Sequence, residues 1–201
     1  MGASWCGLNE SRKDPDNPNM VLEDVPRYLQ MTDTTNNYIY LKPKKEHRFS
    51  LIWLHGMGQT AKGVVDLFKN PNQSIVPDTC KVIMPTAPTR TLSTSGKTEP
   101  SWFDMLPGQK ANQNDIRVSV RMMTELIDRE VQALGGQHDK VYICGFSQGC
   151  AIALSTFLLY RDGRLGGCIG FSGQNSATLD WNTEVDLPLK RRTKMMLYSG
   201  Q

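Results

Sequence analysis

Hydrophobic residues along the chain fall into short apolar runs that alternate with longer segments of helical periodicity. The short runs predict strands, and these are residues 37–41, 49–54, 80–84, 141–144, 167–171 and 195–198. The longer segments predict helices at residues 60–68, 114–134 and 148–160. Strands that alternate with helices indicate a mostly parallel sheet with helices on both of its faces.

The segment 114–134 is the clearest helix in the sequence. Its apolar residues recur at spacings of three and four and form one apolar face, and Gly135 and Gly136 follow as a C-cap would. The segment 148–160 is apolar nearly all round, which predicts a buried helix.

The first 36 residues are polar, rich in Asn, Asp and Pro, and show little periodicity. We therefore predict a polar N-terminal tail at 1–36 and a single α/β domain at 37–201. Gly2 stands where N-myristoylation would occur, but Cys6 occupies the position that the motif gives to Ser or Thr. Lipidation of Gly2 or Cys6 is left open.

The composition is that of an ordinary globular domain, with 39% hydrophobic and 21% charged residues in 201. A net charge of +3 is too small to indicate nucleic-acid binding, and the sequence has no apolar run long enough for a transmembrane helix. The five cysteines are an odd number without a C-x-x-C pair. They predict reduced thiols and a cytoplasmic location.

The strongest chemical signal is Gly145-Phe146-Ser147-Gln148-Gly149, which lies between a predicted strand and a predicted helix. A G-x-S-x-G segment in this context raises a serine hydroxyl to the top of an α/β sheet as a nucleophile. Gly145 and Gly149 lack Cβ atoms, which permits the sharp turn and the close contact between strand and helix.

A second signal is the turn His55-Gly56-Met57-Gly58, which follows an earlier strand. In such a fold the oxyanion hole takes one backbone N–H from the residue after the nucleophile and another from an earlier strand-end loop. These groups would belong to Gln148 and Met57. The alternative is that residues 55–58 form only a tight turn.

With these motifs the chain resembles the acyl-protein thioesterase and carboxylesterase family of α/β-hydrolases. The matching segments occur in family order across residues 38–201, and they are 51–58, Pro85-Thr86-Ala87-Pro88, Ser101-Trp102-Phe103-Asp104 and 145–149. The resemblance implies an α/β-hydrolase fold and hydrolysis of acyl esters and thioesters, including acylated proteins and lysophospholipids, without a cofactor or a metal.

The resemblance also assigns roles to single residues. Ser147 is the nucleophile, Met57 and Gln148 supply the oxyanion N–H groups, and the segment around Trp102 lies near the acyl channel. The triad order Ser, then Asp or Glu, then His requires a histidine after Ser147. The chain has only His47, His55 and His138, all of which precede it.

The resemblance places residues 195–201 directly before the family's catalytic aspartate, so the last strand, the last helix, that aspartate and the histidine have no counterpart here. We therefore predict that the 201-residue chain is inactive or nearly so. The alternative is a non-catalytic, hydrolase-derived structural subunit of a larger intracellular assembly.

The predicted strand 195–198 would form an apolar sheet edge, which is a template for pairing with another chain. We therefore predict a protein partner that covers this edge, the N-terminal tail, or both. Basic residues cluster at 42–45 and at 190–194, either as solvated loops or as a surface for an acidic partner.

Overall fold

The computed structural model of the chain describes residues 11–70, 75–108 and 110–199. Within these residues a nine-stranded sheet has the order β1-β2-β3-β4-β6-β5-β11-β12-β13. Its strands are β1 (Arg12–Lys13), β2 (Met20–Asp24), β3 (Tyr28–Asp33), β4 (Tyr38–Pro43), β5 (Phe49–Leu54), β6 (Cys80–Met84), β11 (Val141–Phe146), β12 (Gly167–Phe171) and β13 (Lys194–Tyr198).

The described helices are α1 (Ala61–Val64), α2 (Asp66–Lys69), α3 (Gln113–Ala133), α4 (Gln148–Leu159) and α5 (Leu187–Arg191), with a 3₁₀ turn at His138–Lys140. Two small antiparallel hairpins lie between β6 and α3. They pair β7 (Thr89–Thr91) with β8 (Thr98–Pro100), and β9 (Met105–Leu106) with β10 (Lys110–Ala111).

Strands β6, β5, β11, β12 and β13 run parallel, as the alternation of strands and helices predicted. Strands β1 to β4 are antiparallel, and β4 joins β6 antiparallel, so the sheet is mixed. Because all the parallel strands point the same way, their carboxyl ends form a single edge, where functional groups of such folds gather.

Helices cover both faces of the sheet, as predicted. On one face Phe68 of α2 packs edge-on against Trp53 of β5, with ring centroids 5.4 Å apart. On the other face, α3 and α4 contribute Ile127 and Ile152 to a core that includes Ile52 of β5. The buried helix predicted at 148–160 is confirmed, because ten of the twelve residues of α4 are buried.

Capping residues mark the helix ends, and the glycine cap after α3 is the one that the sequence predicted. The Thr60 side chain accepts from the Gly63 N–H at the start of α1, and Asn112 caps α3 in the same way. Gly135 and Gly136 both have positive φ after α3, and the Gly136 N–H donates to the Val131 carbonyl at 2.9 Å. The single helix predicted at 60–68 is divided into α1 and α2 at Val65.

The expectation of loop structure over residues 1–36 was wrong for β2 and β3, whose hairpin extends the sheet. Periodicity failed here because these strands carry polar residues on their covered face. Gln30 is 9% exposed and is satisfied by Glu23 and Lys69, at 3.1 and 3.2 Å. Residues 1–10, with Gly2 and Cys6, lie outside the described residues, and the boundary at residue 36 stays a prediction.

In the part of the chain that is described, no helix is both long enough and apolar enough to cross a lipid bilayer.

Candidate active site

Ser147 lies in the turn between β11 and α4, at the carboxyl edge of the parallel strands. Its backbone has φ 53° and ψ −118°, a conformation that non-glycine residues rarely adopt. A Cβ at Gly145 would lie 2.2 Å from the Gly149 carbonyl oxygen, and a Cβ at Gly149 would lie 2.3 Å from the Leu54 carbonyl oxygen. Only glycine fits these two positions, because strand and helix approach so closely.

In the turn at residues 55–58, the backbone N–H of Met57 has no hydrogen-bond acceptor among the described residues. The N–H groups of Gly56, Gly58 and Gln59 are bonded to Gln59 Oε1, the Pro100 carbonyl and the Gly56 carbonyl, respectively. Among the described residues, the Met57 N–H has no such acceptor. Gln148 is the first residue of α4, so its N–H has no acceptor within the helix.

A cavity of about 250 Å³ brings these groups together. Its lining residues are Met57, Phe103, Met105, Ser147, Gln148, Ala151, Ser172, Gly173, Gln174 and Ser176. A larger cavity of about 700 Å³ lies between β2–β4 and α1, and Ser147 does not line it. The smaller cavity is therefore the one that bears on chemistry at Ser147.

The side chain of Gln148 fastens the turn at Ser147 to the segment 101–103. Its Oε1 accepts from the Trp102 N–H at 2.8 Å, and its Nε2 donates to the Phe103 carbonyl at 2.7 Å. The Ser101 hydroxyl lies within 3.1 Å of both amide atoms. Because the side chain is used in these bonds, the backbone N–H is what Gln148 can offer to a ligand.

Trp102 is fully buried behind the cavity and does not line it. Its indole N–H donates to the His55 carbonyl at 2.8 Å, and its ring lies 5.1 Å from the His55 ring. The segment around Trp102 does border the cavity, but through Phe103 and Met105.

His55 follows β5 at the carboxyl edge of the parallel strands, but both of its ring nitrogens are engaged. Nδ1 lies 2.7 Å from the Gly56 carbonyl, and Nε2 accepts from the Ala87 N–H at 3.0 Å. The pattern requires the neutral ring with its proton on Nδ1, and burial lowers the pKa of the imidazole. His55 therefore joins the turn to the segment after β6 and has no free nitrogen for Ser147.

The other two histidines lie at the opposite edge of the sheet. His47 precedes β5 and contacts the Ser50 hydroxyl at 2.8 Å, while His138 precedes β11 and contacts the Tyr160 hydroxyl at 3.0 Å. No histidine, aspartate or glutamate is among the described residues that line the cavity at Ser147. The cavity thus places Ser147 beside Met57 and Gln148, whose backbone N–H groups are unbonded, and no titratable side chain is among its described lining residues.

A model of the phospholipase/carboxylesterase family matches residues 36–196. The chain belongs to the phospholipase/carboxylesterase family. Acyl-protein thioesterase 1 of Yarrowia lipolytica is 34% identical over 140 residues, which cover 67% of this chain and 61% of that protein. A probable SOBER1-like carboxylesterase of Arabidopsis thaliana is 32% identical over 155 residues, which cover 73% of this chain and 57% of that protein.

Solved structures of the family agree with the fold. A crystal structure of an Arabidopsis thaliana SOBER1 variant superposes with a TM-score of 0.62 at 27% identity, covering 75% of this chain and 73% of that one. The family resemblance and the α/β-hydrolase fold that the motifs indicated are thereby confirmed. The chain spans about three fifths of the length of the curated relatives it matches.

Sequence reasoning missed the residues that complete the cavity, which are Met105 and the loop 172–176. A signal for the loop was present. Residues 167–171 read as a strand parallel to 141–144, so the residues after Phe171 must reach the same edge as Ser147.

Proposed function

We propose that the chain carries a serine hydrolase site of the acyl-protein thioesterase and carboxylesterase type, with Ser147 as the nucleophile. The main supporting observation is the strained backbone of Ser147, which lines a cavity together with Met57 and Gln148. The backbone N–H groups of these two residues have no hydrogen-bond acceptor. Strained backbone at such a turn persists when the surrounding structure imposes it, and it is concentrated at functional sites.

In the proposed reaction, the Ser147 hydroxyl gives its proton to a base, which later passes it to the leaving alcohol or thiol, and Ser147 Oγ attacks the carbonyl carbon of an acyl ester or thioester. The carbonyl oxygen becomes an oxyanion, which the Met57 and Gln148 N–H groups stabilise by hydrogen bonds. The alcohol or thiol then leaves, and water releases the acid from the acyl-enzyme. The related proteins named above support an acylated protein as the substrate, and the resemblance adds a lysophospholipid.

We further propose that the 201-residue chain turns over slowly. Ser147 needs a general base, and the three histidines are placed elsewhere: His55 is engaged on both nitrogens, and His47 and His138 lie at the far edge. A site without its base keeps at most a ~10³–10⁴-fold acceleration over water, from the oxyanion hole and binding alone.

Rescue by an external base tests the assignment. Hydrolysis of a p-nitrophenyl ester would be measured with increasing free imidazole, for the wild type and for Ser147→Ala, with fluorophosphonate labelling in parallel. We expect slow labelling of the wild type, and a wild-type rate that exceeds the Ser147→Ala rate by a margin that grows with imidazole. The variant corrects for hydrolysis by imidazole itself.

Equal rates for the two proteins at every imidazole concentration would contradict Ser147 as the nucleophile. Fast, stoichiometric labelling of the wild type that Ser147→Ala abolishes would instead contradict the proposed low activity, and would require a base that acts on Ser147 in this chain.

A second candidate function is a non-catalytic subunit that binds a protein partner at β13. The observation that favours it is the exposure of Met195, Met196, Leu197 and Tyr198, each 49–53% accessible at the end of the described sheet. The proposed occupant is a polypeptide segment that adds a strand to β13, because an edge strand offers unpaired backbone groups.

We also propose a cytoplasmic location for both candidate functions. For the second candidate, this location is within a large assembly. Cys80, Cys144, Cys150 and Cys168 support a reducing compartment, because all four are buried free thiols. Burial raises the pKa of Cys80 and of Cys144 to about 12, so these thiols are unreactive structural residues.

A further inference from the structure

The residue after β12 has a positive φ, like the residue after β11. Ser147 follows Phe146 with φ 53°, and Ser172 follows Phe171 with φ 50°. Phe146 and Phe171 are register partners in the parallel ladder. The Ser147 N–H donates to the Phe171 carbonyl at 2.8 Å, and the Ser172 N–H donates to the Tyr198 carbonyl at 2.7 Å. Two serines with positive φ therefore stand side by side, directly after the ends of two neighbouring strands.

The two serines belong to one site. Both line the cavity of about 250 Å³. Register and the spacing of neighbouring strands put their backbones about 4.8 Å apart. Gly173 packs directly on the turn at Ser147, since a Cβ there would lie 2.5 Å from the Ser147 carbonyl oxygen and 2.7 Å from Cys150 Cβ.

The loop that carries Ser172 is held at several points. Asn175 Oδ1 accepts from the Ser155 hydroxyl of α4 at 2.9 Å. Gln113, at the start of α3, donates to the Ser176 carbonyl at 3.0 Å and accepts from the Thr178 N–H at 2.6 Å. The loop is thus fixed against two helices, which is the condition for presenting a side chain to a ligand in one orientation.

The cavity has two chemically different sides. Met57, Phe103, Met105 and Ala151 are apolar, whereas Ser172, Gln174 and Ser176 are polar. Ser172 has a positive φ and is exposed, and within the described residues its hydroxyl makes no hydrogen bond, so it is open to a ligand that enters the cavity. A serine held in this way, with a free hydroxyl beside the nucleophile, has the features of a residue that contacts substrate.

We propose that Ser172 is a substrate-contacting residue whose hydroxyl hydrogen-bonds a polar leaving group of the ester or thioester, while the acyl group lies on the Met57–Phe103–Met105 side. This rests on the proposed function, and it requires a leaving group that carries an amide or a similar acceptor close to the scissile bond.

Binding to the Ser147→Ala chain tests the proposal without any need for turnover. The probes are N-acetyl-S-butanoylcysteamine, which carries an amide beyond the sulfur, and S-pentyl thiobutanoate, which has the same length without the amide. Their dissociation constants would be measured by NMR titration in the Ser147→Ala background, alone and combined with Ser172→Ala or Ser172→Gly. The glycine variant also relieves the backbone strain, so the pair separates loss of the hydroxyl from change of the backbone.

We expect both Ser172 variants to weaken binding of the amide probe by about 2- to 12-fold, the contribution of one hydrogen bond, and to leave the pentyl probe unchanged. Asn37→Gly is the matched control, because Asn37 has φ 55° in the turn between β3 and β4 and does not line this cavity. It should change neither constant.

Three results would overturn the proposal: an unchanged constant for the amide probe, a change in only one of the two Ser172 variants, or no binding of either probe. Failure of the hydrolase assignment would look different. In that case imidazole would give no advantage over Ser147→Ala, while the dependence of amide-probe binding on Ser172 would remain.

Discussion

Gln148 and Trp102 are joined by a hydrogen bond of 2.8 Å from the Trp102 N–H to the Gln148 side-chain oxygen, across 46 positions of sequence. The same amide donates to the Phe103 carbonyl, so one side chain ties the turn at Ser147 to a wall of the cavity. Ser147 and the apolar wall are therefore positioned relative to each other by a buried polar contact.

Replacing Gln148 by alanine should lower the free energy of unfolding by about 1–3 kcal/mol, because it leaves the Trp102 N–H buried without an acceptor, while the Phe103 carbonyl keeps the Ser101 hydroxyl as a donor. Urea unfolding of the two proteins measures the difference. Gln132→Ala is the matched control, since Gln132 is exposed on α3 and its loss should change stability by less than about 0.5 kcal/mol. Equal losses for the two variants would contradict the role given to the Gln148 amide.

Mild acid should destabilise the chain through His55. Burial lowers the pKa of His55 in the folded state below its usual value, so the unfolded chain binds this proton more readily. The stability that the neutral ring contributes is complete above about pH 6.5 and is lost as the pH falls towards the folded-state pKa. Protonation would place a hydrogen on Nε2 facing the Ala87 N–H.

The measurement is the free energy of unfolding of the wild type and of His55→Gln from pH 7.5 to 5. We expect the wild type to lose up to about 1.4 kcal/mol more per pH unit than the variant below pH 6.5, the value for one proton. His47, whose pKa burial also lowers, contributes to both curves alike. Parallel curves for the two proteins would show that His55 does not titrate differently on folding.

The buried carboxylate of Glu130 gives a third prediction. Glu130 is 4% exposed and accepts from the Ser50 hydroxyl at 2.7 Å and from Lys81 Nζ at 2.6 Å. Lys81→Met would leave this charge with only a neutral donor nearby, so we expect a loss of about 2–4 kcal/mol on urea unfolding. Arg129→Met, which removes an exposed pair with Glu125 at 3.9 Å, should cost less than about 1 kcal/mol. Similar costs for the two variants would contradict a buried ion pair at Glu130.

Periodicity predicted the parallel half of the sheet because its strands form continuous apolar runs, and the inner ones, such as Phe49–Leu54, are largely buried on both faces. It missed β2 and β3 because buried polar residues such as Gln30 interrupt the alternation, and their hydrogen-bond partners become visible only in three dimensions. Local pattern carries no information about a partner 39 residues away.

The candidate site likewise has features that the sequence predicted and features that only the structure shows. The glycine spacing around Ser147 predicted the turn, because close contact between strand and helix imposes it locally. The sequence places His55 at a strand end near Ser147, but only its bonds to Gly56 and Ala87 show that both of its ring nitrogens are used. The strained conformation of Ser172 had no signal, since nothing in its neighbouring residues distinguishes a positive φ.

The last prediction concerns association through β13. Its residues Met195 and Leu197 are 50% and 53% exposed, and the strand is terminal in the described sheet. An apolar strand with unpaired backbone groups pairs readily with another chain. We therefore expect the purified 201-residue chain to associate, with itself or with a partner, and light scattering after size exclusion to show a mass above that of a monomer.

Met195→Lys combined with Leu197→Lys should return the mass to that of a monomer, because two charges on an edge strand oppose pairing. Leu67→Lys is the matched control, since Leu67 on α2 is 52% exposed but lies away from the edge; it should leave the association intact. The half-exposed positions keep the cost in folding free energy small, so thermal unfolding of the double variant should remain cooperative. A cooperatively folding wild-type monomer at high concentration would show that β13 needs no covering, and would remove the main support for the subunit function.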